Sequence, residues 1–78
     1  MRLRWSEIAV ASAARFVADQ DGMHAINAAV AALVDDPGPS EAFIRGAYRR
    51  LRVGDYRVLY KVEGDLITVV RVDRILPR

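Results

Sequence analysis

The chain has 78 residues and contains no cysteine. This absence excludes a disulfide framework and a thiolate metal site, and it is typical of a protein in a reducing cytoplasm. His24 is the single histidine, so we expect neither a histidine-based metal site nor a Ser-His-Asp triad. Asp55, Asp65 and Asp73 are separated by turn positions and lack the spacing of a carboxylate cage. The sequence therefore predicts a protein without a metal site.

Long apolar runs are also lacking. No segment approaches the ~18 apolar residues that a membrane span requires. The first residues faintly resemble a signal peptide, but Glu7 interrupts the apolar stretch, and cleavage would remove a helix from a small domain. A chain of this length buries roughly 60 to 65% of its unfolded surface. We therefore expect residues 1–78 to form one cytoplasmic domain that has no membrane partner.

Lysine is scarce: Lys61 is the single lysine among 12 basic residues, and the others are arginines. Residues 1–40 hold three arginines and five acidic residues, a net charge of −2, whereas residues 41–78 hold nine basic and five acidic residues, a net charge of +4. An anionic partner would be attracted to the second half. Arginine suits two-point contacts with phosphate, although a GC-rich genome also enriches arginine.

The first half of the chain predicts a strand followed by two helices. Apolar and basic residues alternate over residues 1–5, which indicates a short edge strand. Ser6 is a suitable N-cap for a helix over 7–19. Asp21 is a suitable cap for a second helix over 22–36, whose apolar residues recur with helical periodicity. The alanine content of both helices favours a closely packed helical hairpin.

The second half predicts three strands, over 48–53, 56–62 and 66–73. A Gly54-Asp55 turn between alternating runs is typical of a two-residue hairpin of type II′. This turn predicts which residues face one another across the strands: Val53 and Tyr56, Arg52 and Arg57, Leu51 and Val58.

The hairpin register divides the side chains between two faces. The apolar face must pack on the helices, and its tyrosines, Tyr56 and Tyr60, are interpreted as structural. The apolar face consists of Leu51, Val53, Tyr56, Val58, Tyr60 and Val62, and the opposite face of Arg50, Arg52, Arg57, Leu59 and Lys61.

The turn before the last strand has two possible registers. A two-residue turn at 64–65 would bury Arg71 against the helices, which is costly for an unpaired charge. A three-residue loop at 63–65 would place Arg71 opposite Arg57, and the burial cost favours this register. The overall prediction is an α+β fold in which an N-terminal strand and a two-helix hairpin pack on an antiparallel sheet of about four strands.

Arg50, Arg52 and Arg57 fall on one face of neighbouring strands. Aligned like charges weaken a sheet, so we interpret these arginines as a phosphate-binding set; the alternative is that they are ordinary solvated positions. Tyr48 could stack on a base or pack at the rim of the core. Lys61 is interpreted as a solvated cation near the cluster.

Residues 43 to 74 contain the pattern G-x-Y-R-x-L-R-x-G-D-Y-R-x-x-Y, followed by an acidic turn and an apolar strand that ends in Arg-Val-Asp. This pattern resembles the RelE/ParE superfamily of bacterial type II toxins. The resemblance implies a small module with helices packed on a sheet, a cognate antitoxin as partner, and no cofactor.

For RelE-type members the resemblance implies cleavage of messenger RNA on the ribosome by basic residues of the open sheet face. A co-expressed antitoxin would block that face. In the three-residue register, an apolar patch of Leu59, Ile67 and Val69 lies beside the cations and suits an acidic, amphipathic segment of that antitoxin. The resemblance implies Arg57, Arg50 and Arg74 for catalysis. The charge pattern around them adds the predicted RNA-binding residues Arg52, Arg71, Lys61, Tyr48 and Arg78.

The pattern departs from the family after Asp73. Ile75 holds the place of a family arginine, and the tyrosine that usually follows has no counterpart in the sequence. We therefore expect weakened cleavage. The alternatives that stay open are a ParE-like toxin that acts on DNA gyrase and a catalytically inactive antitoxin-binding module.

Overall fold

Two helices and five strands follow one another in the computed structural model, which describes residues 1–75. The strands form one sheet in the order β1-β5-β4-β3-β2, and both helices pack on the same face of it. The elements are β1 (Arg2–Trp5), α1 (Glu7–Ala14), α2 (Gln20–Ala32), β2 (Phe43–Arg45), β3 (Tyr48–Val53), β4 (Tyr56–Glu63) and β5 (Leu66–Arg74). Neither helix in this part of the chain is long and apolar enough to cross a membrane.

The α+β class is confirmed, but the sheet is mixed and has five strands. β1 runs parallel to β5 at one edge of the sheet, and the two helices connect it to β2 at the other edge. The sequence missed β2, whose three residues are too few to show a periodicity. A two-residue turn with Gly46 at φ +61° connects β2 to β3.

The helices begin and end at somewhat different residues than predicted. The Ser6 cap is confirmed, since its hydroxyl accepts the Ala9 N–H at 3.0 Å. α1 ends at Ala14, five residues before the predicted end at position 19. Residues 15–18 form hydrogen-bonded turns instead of continuing the helix. Asp19 rather than Asp21 caps α2, because its carboxylate accepts the Gly22 N–H at 2.9 Å. α2 ends at Ala32, before the prolines.

The central hairpin is confirmed, including all three predicted cross-strand pairs. Gly54 has a φ of +59°, and no residue other than glycine has a positive φ in the described chain. A positive φ at the first central residue alone is the requirement of a type II′ turn. The local turn chemistry therefore sets which side chains share a face.

The predicted three-residue loop at 63–65 is wrong. Glu63 pairs with Leu66 across a two-residue turn, and a β-bulge at Val70 then shifts the register, so that Arg71 lies opposite Leu59 instead of Arg57. A bulge adds one residue to one strand and reverses the faces beyond it. Arg71 is consequently exposed, as predicted. The bulge, and not a three-residue loop, is what keeps its charge out of the core.

The core lies between the helices and one face of the sheet. Ile67 and Val69 are fully buried in it, so the apolar patch expected to contact the antitoxin is wrong for these two residues. The buried apolar residues are Ala9, Ile26, Val30, Leu33, Leu51, Tyr56, Val58, Tyr60, Ile67, Val69 and Val72.

Ser12 connects α1 to the edge of β5 beyond the end of β1. Its hydroxyl is buried, accepts the Val72 N–H at 2.9 Å and donates to the Ala9 carbonyl at 2.9 Å. Ser12→Ala should lower the free energy of unfolding by about 1–3 kcal/mol, because it leaves a buried N–H without its acceptor. Urea denaturation measures this, with the exposed Ser40→Ala as control. Equal stability of the two variants would contradict the proposed anchor.

Candidate functional site

The sheet face opposite the helices, here called the open face, is rich in cations. Arg50 and Arg52 on β3 and Arg57 on β4 are all exposed there. Arg52 lies directly opposite Arg57, and Arg50 lies opposite Leu59. Paired residues of neighbouring strands project from the same face, so the structure brings these three arginines together. We call them the arginine cluster.

The arginine cluster is not neutralised within the described residues. Arg52 donates from Nε to the Gly54 carbonyl at 3.0 Å, which holds it at the turn. No member of the cluster forms an ion pair with any residue of the range 1–75. Asp73 lies opposite Arg57, but its carboxylate is bonded to Arg71. A local excess of positive charge therefore faces solvent.

The other predicted RNA-binding cations on this face have acidic partners. Lys61 Nζ lies 3.1 Å from Glu63, and Arg71 Nε lies 2.7 Å from Asp73. Both side chains border the arginine cluster, but these contacts reduce the charge that they offer to a ligand. The structure thus separates the predicted cations into free and paired ones.

Arg74 is not with the arginine cluster. It lies opposite Tyr56, on the helix-packed face, because the bulge at Val70 reverses the faces of the residues that follow. The structure therefore places Arg74 on the opposite face of the sheet from Arg50 and Arg57, and the predicted grouping of these three residues is wrong. Arg78 lies outside the described residues.

Arg74 instead lies near the N-terminus of α2, where its charge contributes to the lowered pKa of Asp19. The Tyr56 hydroxyl donates to the Asp19 carboxylate at 2.7 Å. This bond is the main cause that lowers the pKa of Asp19, with further contributions from the Gly22 N–H and the Arg74 charge. The same bond raises the pKa of the Tyr56 hydroxyl.

Aromatic rings lie beside the arginine cluster on the β2–β3 hairpin. Phe43 is opposite Arg50, whose guanidinium carbon lies 4.9 Å from the ring centroid, and Tyr48 is opposite Arg45. These residues border a depression of about 220 Å³, together with Arg49 and Leu59. The sequence pointed to Tyr48 but missed Phe43. The glycine at position 46 was the sequence feature that could have indicated a turn, and with it a strand that contains Phe43.

The comparisons with known proteins agree with this architecture. The family model of the ParE toxin of type II toxin–antitoxin systems matches residues 3–74. The chain belongs to the ParE toxin family. It is thus a type II toxin of the RelE/ParE superfamily, and toxins of this family pair with an antitoxin. No curated protein matches the chain significantly.

Two solved structures share the fold of this ParE-family toxin. The crystal structure of YafQ from E. coli strain BL21(DE3) superposes with a TM-score of 0.73 at 17% identity, over 95% of this chain and 93% of that one. The toxin–antitoxin complex RelBE2 from Mycobacterium tuberculosis gives a TM-score of 0.61 at 19% identity, over 94% and 95% of the two chains. The predicted superfamily and its fold are confirmed.

Two tyrosines of the family pattern lie on the helix-packed face of the strands that carry the arginine cluster. Tyr56 and Tyr60 are buried on the helix-packed face, which confirms their structural interpretation. The Tyr60 hydroxyl and Arg49 both donate to the Pro37 carbonyl, at 2.8 and 2.6 Å. In this ParE-family toxin, Arg49 therefore anchors the loop after α2 and is not available to the open face.

Proposed function

We propose that this toxin inhibits translation in the cytoplasm by cleaving messenger RNA on the ribosome, and that its antitoxin covers the open face. The observation that supports this function is the arginine cluster, whose three members have no ion pair in the described chain. Like charges on paired strands cost stability in the free protein. A bound polyanion removes that repulsion.

Guanidinium groups suit the phosphate of an RNA strand. Each can donate two parallel hydrogen bonds to phosphate oxygens and stays charged at all physiological pH values. Arg52 and Arg57 project from directly opposed positions, so both can reach one phosphate or two adjacent ones. Arg52 is proposed to bind the RNA, and Arg57 and Arg50 to act at the scissile phosphate.

The proposed reaction is attack of a ribose 2′-hydroxyl on the adjacent phosphorus. The O2′–P bond forms as the P–O5′ bond breaks, which leaves a cyclic 2′,3′-phosphate and a 5′-hydroxyl. The proton leaves O2′ to water, and the departing O5′ takes one from water. Negative charge grows on the phosphoryl oxygens in between, and Arg57 and Arg50 stabilise it electrostatically.

A second candidate is a toxin that acts on DNA gyrase. The match to the ParE family model favours it, since the resemblance associates ParE-type members with gyrase. On this alternative the arginine cluster contacts an acidic protein surface or DNA. The third possibility is a module that binds only its antitoxin.

Parallel assays distinguish these functions. The purified toxin should arrest cell-free translation and produce cuts in the ribosome-bound message, mapped by primer extension, while gyrase supercoiling continues. Normal translation with stalled supercoiling would establish the gyrase function instead. Activity in neither assay would leave the antitoxin-binding module.

A further inference from the structure

The β2–β3 hairpin alternates aromatic and cationic side chains on the open face. Phe43 lies opposite Arg50, and Arg45 lies opposite Tyr48. The two aromatic rings are thus diagonal to each other, and so are the two guanidinium groups. We call these four residues the hairpin patch.

Both rings of the hairpin patch are accessible to solvent. Phe43 is 56% exposed and Tyr48 is 49% exposed. The Arg50 guanidinium covers one side of the Phe43 ring, at 4.9 Å from its centroid, and so orients that ring. All three residues of β2 are exposed, which means that these rings add little to the core.

The pattern matches the chemistry of single-stranded nucleic acid. Such a strand alternates flat bases with phosphates, and its binding sites combine aromatic platforms with cations. Diagonal positions of an antiparallel pair are about 7–8 Å apart, within the reach of two bases of one strand. Phe43 and Tyr48 are therefore placed as two platforms, with Arg45 and Arg50 beside them for the phosphates.

We propose that the hairpin patch binds two unpaired bases of the RNA, stacked on Phe43 and Tyr48, next to the scissile phosphate. This inference rests on the proposed function, because it takes RNA as the substrate. Arg50 belongs to both the hairpin patch and the arginine cluster, so one strand can pass from the platforms to Arg57. The hairpin patch positions the substrate and selects unpaired RNA.

An acidic peptide is a different partner for the same surface. Leu59 is the one aliphatic side chain that lines the depression between Phe43 and Tyr48. The depression on the other side of Tyr48 adds Ile8, Leu66 and Val70, but Glu63 also lines it and would repel an acidic peptide. A peptide that docks through side chains needs apolar pockets at alternate positions. The exposed rings beside guanidinium groups favour bases instead.

Binding of labelled hexaadenylate, measured by fluorescence anisotropy, tests the proposal. Phe43→Ala and Tyr48→Ala should each weaken binding about tenfold, the usual effect of losing one stacked base. Ile44→Ala is the matched control, because Ile44 is 52% exposed on the same strand but points to the other face. An abasic ribose-phosphate hexamer should bind the alanine variants and the unchanged toxin equally.

The outcomes separate this inference from the proposed function. If the toxin binds hexaadenylate and both alanine variants bind it equally well, the hairpin patch has no role in RNA binding while the RNA function stands. If the toxin binds neither hexamer, the inference fails, whereas the proposed function is decided separately by the cell-free translation assay. If Phe43→Ala weakens only antitoxin binding, the hairpin is a protein-docking surface and the inference is overturned.

A spectroscopic measurement locates the base directly. Phe43→Trp should keep its affinity for hexaadenylate, and its fluorescence should be quenched when a base stacks on the new indole. Ile44→Trp should show no such quenching. Trp5 contributes the same background to both variants. Equal quenching in both variants, or in neither, would contradict stacking on the hairpin patch.

Discussion

Arg57→Ala should slow cleavage of ribosome-bound message by about 10²- to 10³-fold, the usual loss when one donor to a developing charge is removed. Arg57 is exposed, lies opposite Arg52 and has no ion pair within residues 1–75. Its removal should leave the fold intact. RNA affinity should fall much less than the rate, because a group that acts on the transition state contributes more there than in the ground state. Single-turnover cleavage on stalled ribosomes measures both quantities.

Two further variants make this result specific. Arg15→Ala removes an exposed arginine near the end of α1, away from the open face, and should cleave at the unchanged rate. Arg57→Lys keeps the charge but loses the two-point geometry, so its rate should lie between those of the alanine variant and the unchanged toxin. If Arg57→Ala cleaves as fast as Arg15→Ala, the arginine cluster does not stabilise the reacting phosphate.

Raising the salt concentration from about 50 to 200 mM should weaken binding of single-stranded RNA by about 16- to 64-fold. Three or four phosphate contacts correspond to a log–log slope of about −2 to −3 for single strands, since each contact releases about 0.7 of a counterion. The arginine cluster supplies three such contacts. Titrations by fluorescence anisotropy at several salt concentrations give the slope.

The slope identifies which side chains contact phosphate. Arg52→Ala should make it shallower by about 0.7, the value for one contact. Phe43→Ala should weaken binding at every salt concentration but keep the slope, because a stacked base releases no counterion. An affinity that does not change with salt would leave the arginine cluster without its proposed role.

Local patterns were enough to predict the central hairpin and the arginine cluster. Gly54 can take the positive φ that a type II′ turn requires, and the alternation on either side of it then decides which side chains face the helices. The same argument predicts that Arg50, Arg52 and Arg57 share a face, since they hold alternate or directly opposed positions of one hairpin. The Ser6 cap followed from an equally local hydrogen bond.

The path of β5 could not be predicted in the same way. Its segment is apolar on both faces, so alternation does not choose a register. The structure combines a tight turn with a bulge at Val70, which buries Ile67 and Val69 before the bulge and Val72 after it. That choice depends on how the helices fill the core, a property of the whole fold.

The sequence by itself determined the α+β class, the turn at Gly54 and the face that carries the arginine cluster, because each depends on residues close together in the chain. Only the tertiary structure decided that β1 runs parallel to β5, that Arg74 faces the helices, and that Phe43 joins Tyr48 on the open face. Those features depend on pairing between distant or very short segments, where burial of the core outweighs local preference.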